Sequence, residues 1–115
     1  MGITGQLGAS LRSFKKYSNN FVVTGGDIDD RILFNEENIQ TYKIGQLDIS
    51  SLQNFNNHNE FDLMIDDGLH AAHSAINFLA CAIDKLKNKK DSYIIIEDIS
   101  GPKYEKLWLK LITLF

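Results

Sequence analysis

Cysteine, proline and tryptophan are almost absent: the 115 residues hold one of each. The lone Cys81 excludes an internal disulfide framework and suits a reducing compartment. Within Ala80-Cys-Ala-Ile83 it reads as a small buried hydrophobe and not as a nucleophile. No apolar stretch reaches the roughly 18 residues needed to span a membrane, and the N-terminus lacks the basic-then-apolar order of a signal peptide. These absences predict a cytoplasmic protein. Basic charge is in short supply as well. Against 15 Asp and Glu stand 12 Lys and Arg, a net charge of -3, which argues against binding nucleic acid through a basic face. Lys85, Lys87, Lys89 and Lys90 form a local basic cluster that reads as a solvated helix end. There is no internal repeat and no low-complexity linker.

What is present is ordinary globular composition, 43% hydrophobic and 23% charged, in a chain long enough for one domain but short for a doubly wound α/β fold. Its most informative stretch is Phe61-Asp-Leu-Met-Ile-Asp-Asp-Gly-Leu-His70, answered later by Tyr93-Ile-Ile-Ile-Glu-Asp98. Each is a short apolar run that ends in paired carboxylates. Such runs read as strands buried on both faces in a parallel sheet, whose ligands sit outside the carboxyl ends of the strands. Asp66, Asp67, His70, Glu97 and Asp98 therefore become one candidate site.

The rest of the chain alternates between helix and strand signals. Ala9 to Tyr17 reads as a helix after a glycine-rich start, Phe21 to Thr24 as a strand stopped by Gly25-Gly26, and Arg31 to Asn38 as a short helix. Thr41 to Ile44 reads as a strand, Ser50 to Phe55 as a helical turn, and Asn54 to Glu60 as a polar loop. In Ala71 to Leu86 the apolar residues Ala72, Ala75, Ile76, Leu79, Ile83 and Leu86 recur at three- and four-residue steps, which predicts an amphipathic helix. Tyr93 to Ile96 reads as a strand and Tyr104 to Phe115 as a helix after Pro102. This order predicts right-handed βαβ units, a Rossmann-like and mostly parallel sheet with flanking helices, in a single partial domain over residues 1–115.

Five segments carry a resemblance. Gly2-Ile-Thr-Gly-Gln-Leu-Gly-Ala-Ser-Leu11, Gly26-Asp-Ile-Asp29, Tyr42 to Asp48, Ile65-Asp-Asp-Gly-Leu-His70 and Ile95-Ile-Glu-Asp-Ile99 resemble, in order and spacing, a class I S-adenosylmethionine-dependent methyltransferase. They are most similar to the metal-dependent O-methyltransferases that act on sugars in macrolide and surface-polysaccharide pathways. The resemblance implies S-adenosylmethionine and Mg²⁺ as cofactors, a sugar hydroxyl or similar small molecule as methyl acceptor, and neither nucleic acid nor membrane as partner.

Residue roles follow from the same resemblance. Asp27 or Asp29 would hold the ribose hydroxyls, Asp27 being favoured because it directly follows Gly26, which would admit close backbone approach. Asp29 and Asp30 read equally as caps of the following helix. Asp48 would contact adenine, or else cap the turn at Ser50. Asp67 and Asp98 would be the metal ligands, supported by Glu97 or Asp66, and Asp66 could instead face the cofactor. His70 matches the general base, an imidazole that titrates in the right range. His73 reads as structural and His58 as solvated.

The resemblance also implies missing parts. The strand that packs against the methionine portion of the cofactor should precede Met1, and a final antiparallel pair of strands should follow Phe115. The chain is therefore expected to be a fragment, with a gap between the Phe21 and Phe61 strands and no measurable turnover. Two other classes fit parts of the pattern. A receiver-like phosphoacceptor domain would account for the acids after Ile65, but its later strands should end in a hydroxyl residue and a lysine where Glu97-Asp98 stands. A non-catalytic remnant could survive as a binding or interaction module.

Overall fold

A computed structural model describes residues 6–55, 60–88, 90–99 and 102–112 of the chain. His58, Lys89, Gly2, Gly5 and the last residues of the C-terminal helix reading lie outside the described residues. The chain divides into two compact units, Met1–Gly45 and Gln46–Phe115.

In the first unit, α1 (Ala9–Tyr17) precedes β1 (Val23–Asp27), a 3-10 turn (Asp30–Ile32) and β2 (Ile39–Lys43). The two strands pair in parallel from Val23↔Ile39 to Asp27↔Lys43. The first strand thus lies two residues later than its apolar letters suggest, and it runs through the glycines that were expected to stop it. Gly25 is buried, and a Cβ there would overlap the Leu11 side chain of α1, so the absent side chain is what lets the helix close onto the strand. Phe21 and Val22 are left exposed.

The expected helix over Arg31 to Asn38 is not formed. Only Asp30–Ile32 makes a helical turn, because the main-chain groups beyond it are taken by other partners. The Thr41 hydroxyl bridges the amide and carbonyl of Phe34, and Glu36 and Ile39 exchange both main-chain bonds around Asn38 at φ 61°. Asn tolerates that left-handed turn better than most residues. Arg12 of α1 forks onto the Glu36 carboxylate at 2.9 and 2.5 Å and stacks over Phe34. Ile39, with no exposed surface, is the centre of this unit's core.

The second unit contains α2 (Ile49–Asn54), β3 (Leu63–Asp66), α3 (Ala72–Ile83), β4 (Tyr93–Ile96) and α4 (Pro102–Ile112). The strands β3 and β4 pair in parallel, Leu63↔Tyr93 to Asp66↔Ile96. Met64 and Asp66 are buried on the face that α3 covers, together with Leu52, Ala75 and Ala82. α3 ends three residues before its apolar period does, because Leu86 leaves the helix to bridge Phe61 in parallel fashion. Lys85 turns back to donate to the carbonyls of Gln53 (3.1 Å) and Phe55 (2.9 Å) at the end of α2. That placement matches the preference of cations for helix C-termini and takes Lys85 out of any free basic patch.

The architecture is α/β with parallel strands and flanking helices. Its described strands form two two-stranded sheets, β1-β2 and β3-β4. No described helix is long and apolar enough to cross a membrane.

Candidate active site

Two strand ends of the second unit build the site. β3 stops at Asp66, whose carboxylate is buried and held on one oxygen by the Gln46 side-chain amide (2.5 Å) and the Gly68 amide (3.1 Å). Main chain continues the ladder one step further, the Glu97 amide donating to the Asp66 carbonyl at 2.9 Å. Beyond that last rung both chains bend outward. Asp67, His70 and Asp98 there present one oxygen or nitrogen each, all within 4.8 Å of one another.

The imidazole Nε2 of His70 lies 3.7 Å from an Asp67 oxygen and 3.8 Å from an Asp98 oxygen. These separations are too long for good hydrogen bonds. With all three donors within 4.8 Å of one another, small side-chain rotations would bring them onto one divalent ion. The donor set, two carboxylates and an imidazole, is chemically suited to a divalent cation, and its exposure leaves room for water or a substrate hydroxyl. His70 and Asp98 both hold left-handed backbone, φ 56° and 53°. Such conformations are uncommon for residues with a Cβ and collect at functional sites.

The structure brings Asp67, His70 and Asp98 together and leaves other candidates outside the cluster. Glu97 is exposed and lines the same recess but is not among the clustered donors. Asp66 faces inward, so its oxygen serves the loop. His70 lies in the loop before α3, which begins at Ala72. His73 is exposed in the first turn of α3. The recess beside the cluster is walled by Ala72, Ala75, Ile96 and Trp108, the last of which no pattern in the sequence had tied to the site.

Asp48 caps α2, its carboxylate accepting from the Ser51 amide at 3.2 Å. In the first unit, Asp27 ends β1 and accepts the Asp29 amide at 2.8 Å. Asp29 itself accepts from the Arg31 amide (3.0 Å) and forks onto the Arg31 guanidinium (2.6 and 2.8 Å). The guanidinium hydrogen bonds first, and the amide second, lower its pKa from 3.8 to about 2. Asp29 is therefore the capping acid of the pair. Gly26 is exposed, with Ile44 against the place a Cβ would take.

Gln46 is the residue that the sequence reading passed over. It lies 20 positions before Asp66, with no periodic relation to it, and only the fold brings the two together.

Two solved structures share this fold. Both are crystal forms of the MycE methyltransferase from the mycinamycin biosynthetic pathway in complex with Mg and SAH. One is 24% identical with a TM-score of 0.76 over 91% of this chain, the other 25% identical with a TM-score of 0.73 over 90%. The chain has part of a methyltransferase fold. It spans 31% and 27% of the length of those two structures. No family model matches the sequence, and no curated protein matches it.

Proposed function

We propose that the chain is the cofactor- and metal-holding part of an S-adenosylmethionine-dependent O-methyltransferase that uses Mg²⁺ and acts on a hydroxyl of a sugar or similar small molecule. The observation that carries this reading is the Asp67–His70–Asp98 cluster at paired strand ends, in a fold shared with structures that contain Mg and SAH. Asp67 and Asp98 hold the ion, with Glu97 beside them, and a bound divalent cation supplies Lewis acidity that lowers the pKa of the acceptor hydroxyl. His70 takes the hydroxyl proton as the O–CH₃ bond forms and the sulfonium S–CH₃ bond breaks, and the carboxylates around it stabilise the resulting imidazolium. Asp27 is the proposed ribose acid, since Asp29 is occupied by Arg31. Gly26 and Asp48 are proposed as its companions in cofactor binding, Asp48 in addition to its capping bond. A cytoplasmic location belongs to this reading and rests on the single cysteine.

Titration calorimetry tests it. Mn²⁺ or Mg²⁺ should bind the chain with one site, and Asp67→Asn and Asp98→Asn should each weaken binding at least tenfold. S-adenosylhomocysteine should bind as well, and Asp27→Ala should weaken it while leaving the metal unaffected. Metal affinity unchanged in both Asn variants would overturn the assignment of the cluster.

A further inference from the structure

Gln46 is connected to the loop of the site at both ends of its side chain. Its amide nitrogen donates to Asp66 (2.5 Å), and its amide oxygen accepts from the Leu69 amide (2.7 Å). Its own carbonyl accepts from the Asn77 side chain of α3 at 3.0 Å. One side chain thus bridges Asp66 and Leu69, the residues on either side of Asp67-Gly68, and is anchored to the helix that follows. A Cβ at Gly68 would overlap the Gln46 side chain, so the glycine is the space that this bridge occupies. His70, next in the chain, holds the left-handed conformation that aims its ring at Asp67 and Asp98.

We infer that Gln46 is a positioning residue, clamping the Asp66–Leu69 loop so that Asp67 meets Asp98 at one ion with the His70 imidazole held beside them. The bridge requires a donor and an acceptor at opposite corners of one planar group, which among side chains of this length only a glutamine amide offers. Glu lacks the donor, and Leu lacks both. A clamp of this kind orients ligands from outside the coordination sphere, and removing such partners typically costs 10–100-fold in metal affinity.

The inference rests on the reading of the cluster as a metal site, and its test has an arm that does not. In Gln46→Leu, hydrogen exchange of the Leu69 amide should accelerate at least tenfold while amides of β3 and β4 keep their protection, and the Mn²⁺ dissociation constant should rise about tenfold. The double variant Gln46→Glu, Asp66→Asn exchanges donor and acceptor between the two side chains but turns a donor toward the Gly68 amide, which shares the Asp66 oxygen with Gln46. It should slow Leu69 exchange and tighten Mn²⁺ binding relative to Gln46→Glu alone without reaching the original values. Unchanged Leu69 exchange in Gln46→Leu, or a double variant no better protected at Leu69 than Gln46→Glu alone, overturns the clamp. If Gln46→Leu loses the whole fold, the double variant alone decides. Absence of Mn²⁺ binding in the unaltered chain would overturn the proposed function, and the Leu69 exchange would still decide the clamp.

Discussion

Single acids in this chain differ by what surrounds them. Asp29 and Asp67 are both strand-end carboxylates in the sequence, yet Asp29 spends its oxygens on Arg31 and Asp67 holds one toward His70. The Asp29 pairing has a pH signature. Because the folded pKa of about 2 lies below the ordinary 3.8, its contribution to stability is complete above the unfolded value and is lost as pH falls through the range down to about 2. A carboxyl-carbon NMR titration should give a midpoint near 2 for Asp29, moving up toward 3.8 in Arg31→Ala; a midpoint already near 3.8 would mean the ion pair does not persist in solution. His70 is the other residue whose role a single change can expose. In an active, longer form of the protein, His70→Ala should lower kcat by about 10²-fold or more and leave S-adenosylhomocysteine affinity nearly unchanged, as expected of a group that acts in the transition state. Equal losses in both would make it a structural or ligand residue.

At the scale of elements, each unit has few buried side chains among the described residues, so single truncations should be costly. Ile39 is fully buried and Met64 nearly so, and Ile39→Ala or Met64→Ala should each reduce stability by about 2–5 kcal/mol in urea unfolding, whereas Leu109→Ala on an exposed face of α4 should change it by less than about 0.5 kcal/mol. The elements with a strong period were legible in the sequence. β4 falls where its run Tyr93 to Ile96 lies, and α1 where Ala9 to Tyr17 does. β1 was misplaced because its pairing uses the backbone of Gly25 and Gly26, which have no side chains to contribute to a pattern. The false helix at Arg31 to Asn38 failed for the converse reason: helical letters lost to a Thr41 hydroxyl that reaches back seven residues, a bond that local propensity does not contain. The nearness of Asp67, His70 and Asp98 was legible because both halves of the cluster follow unmistakable strands. Gln46 was not, since its partners are set by the fold and its letter has no local role.

For the molecule as a whole, the sheets are narrower than parallel sheets normally are, and this decides how the chain should behave alone. Parallel strands are found almost only where helices cover both faces. In the second unit, one face of the β3-β4 pair lies under α3, while the other carries Leu63, Tyr93 and Ile95 with 42%, 66% and 44% of their surface exposed. An apolar face left in water contributes little to stability and favours association. The 115-residue chain should therefore be marginal, unfolding in urea with a midpoint of about 3 M or below, and should bind an apolar dye such as ANS while native. Polar β-formers on that face provide the sharper measurement. Tyr93→Thr and Ile95→Thr together should change the unfolding free energy by less than about 1 kcal/mol and abolish most dye binding, because the replaced groups are already in contact with water. A loss of about 3 kcal/mol or more would show that the face is covered in solution, by a second copy if the midpoint depends on protein concentration and within the chain if it does not.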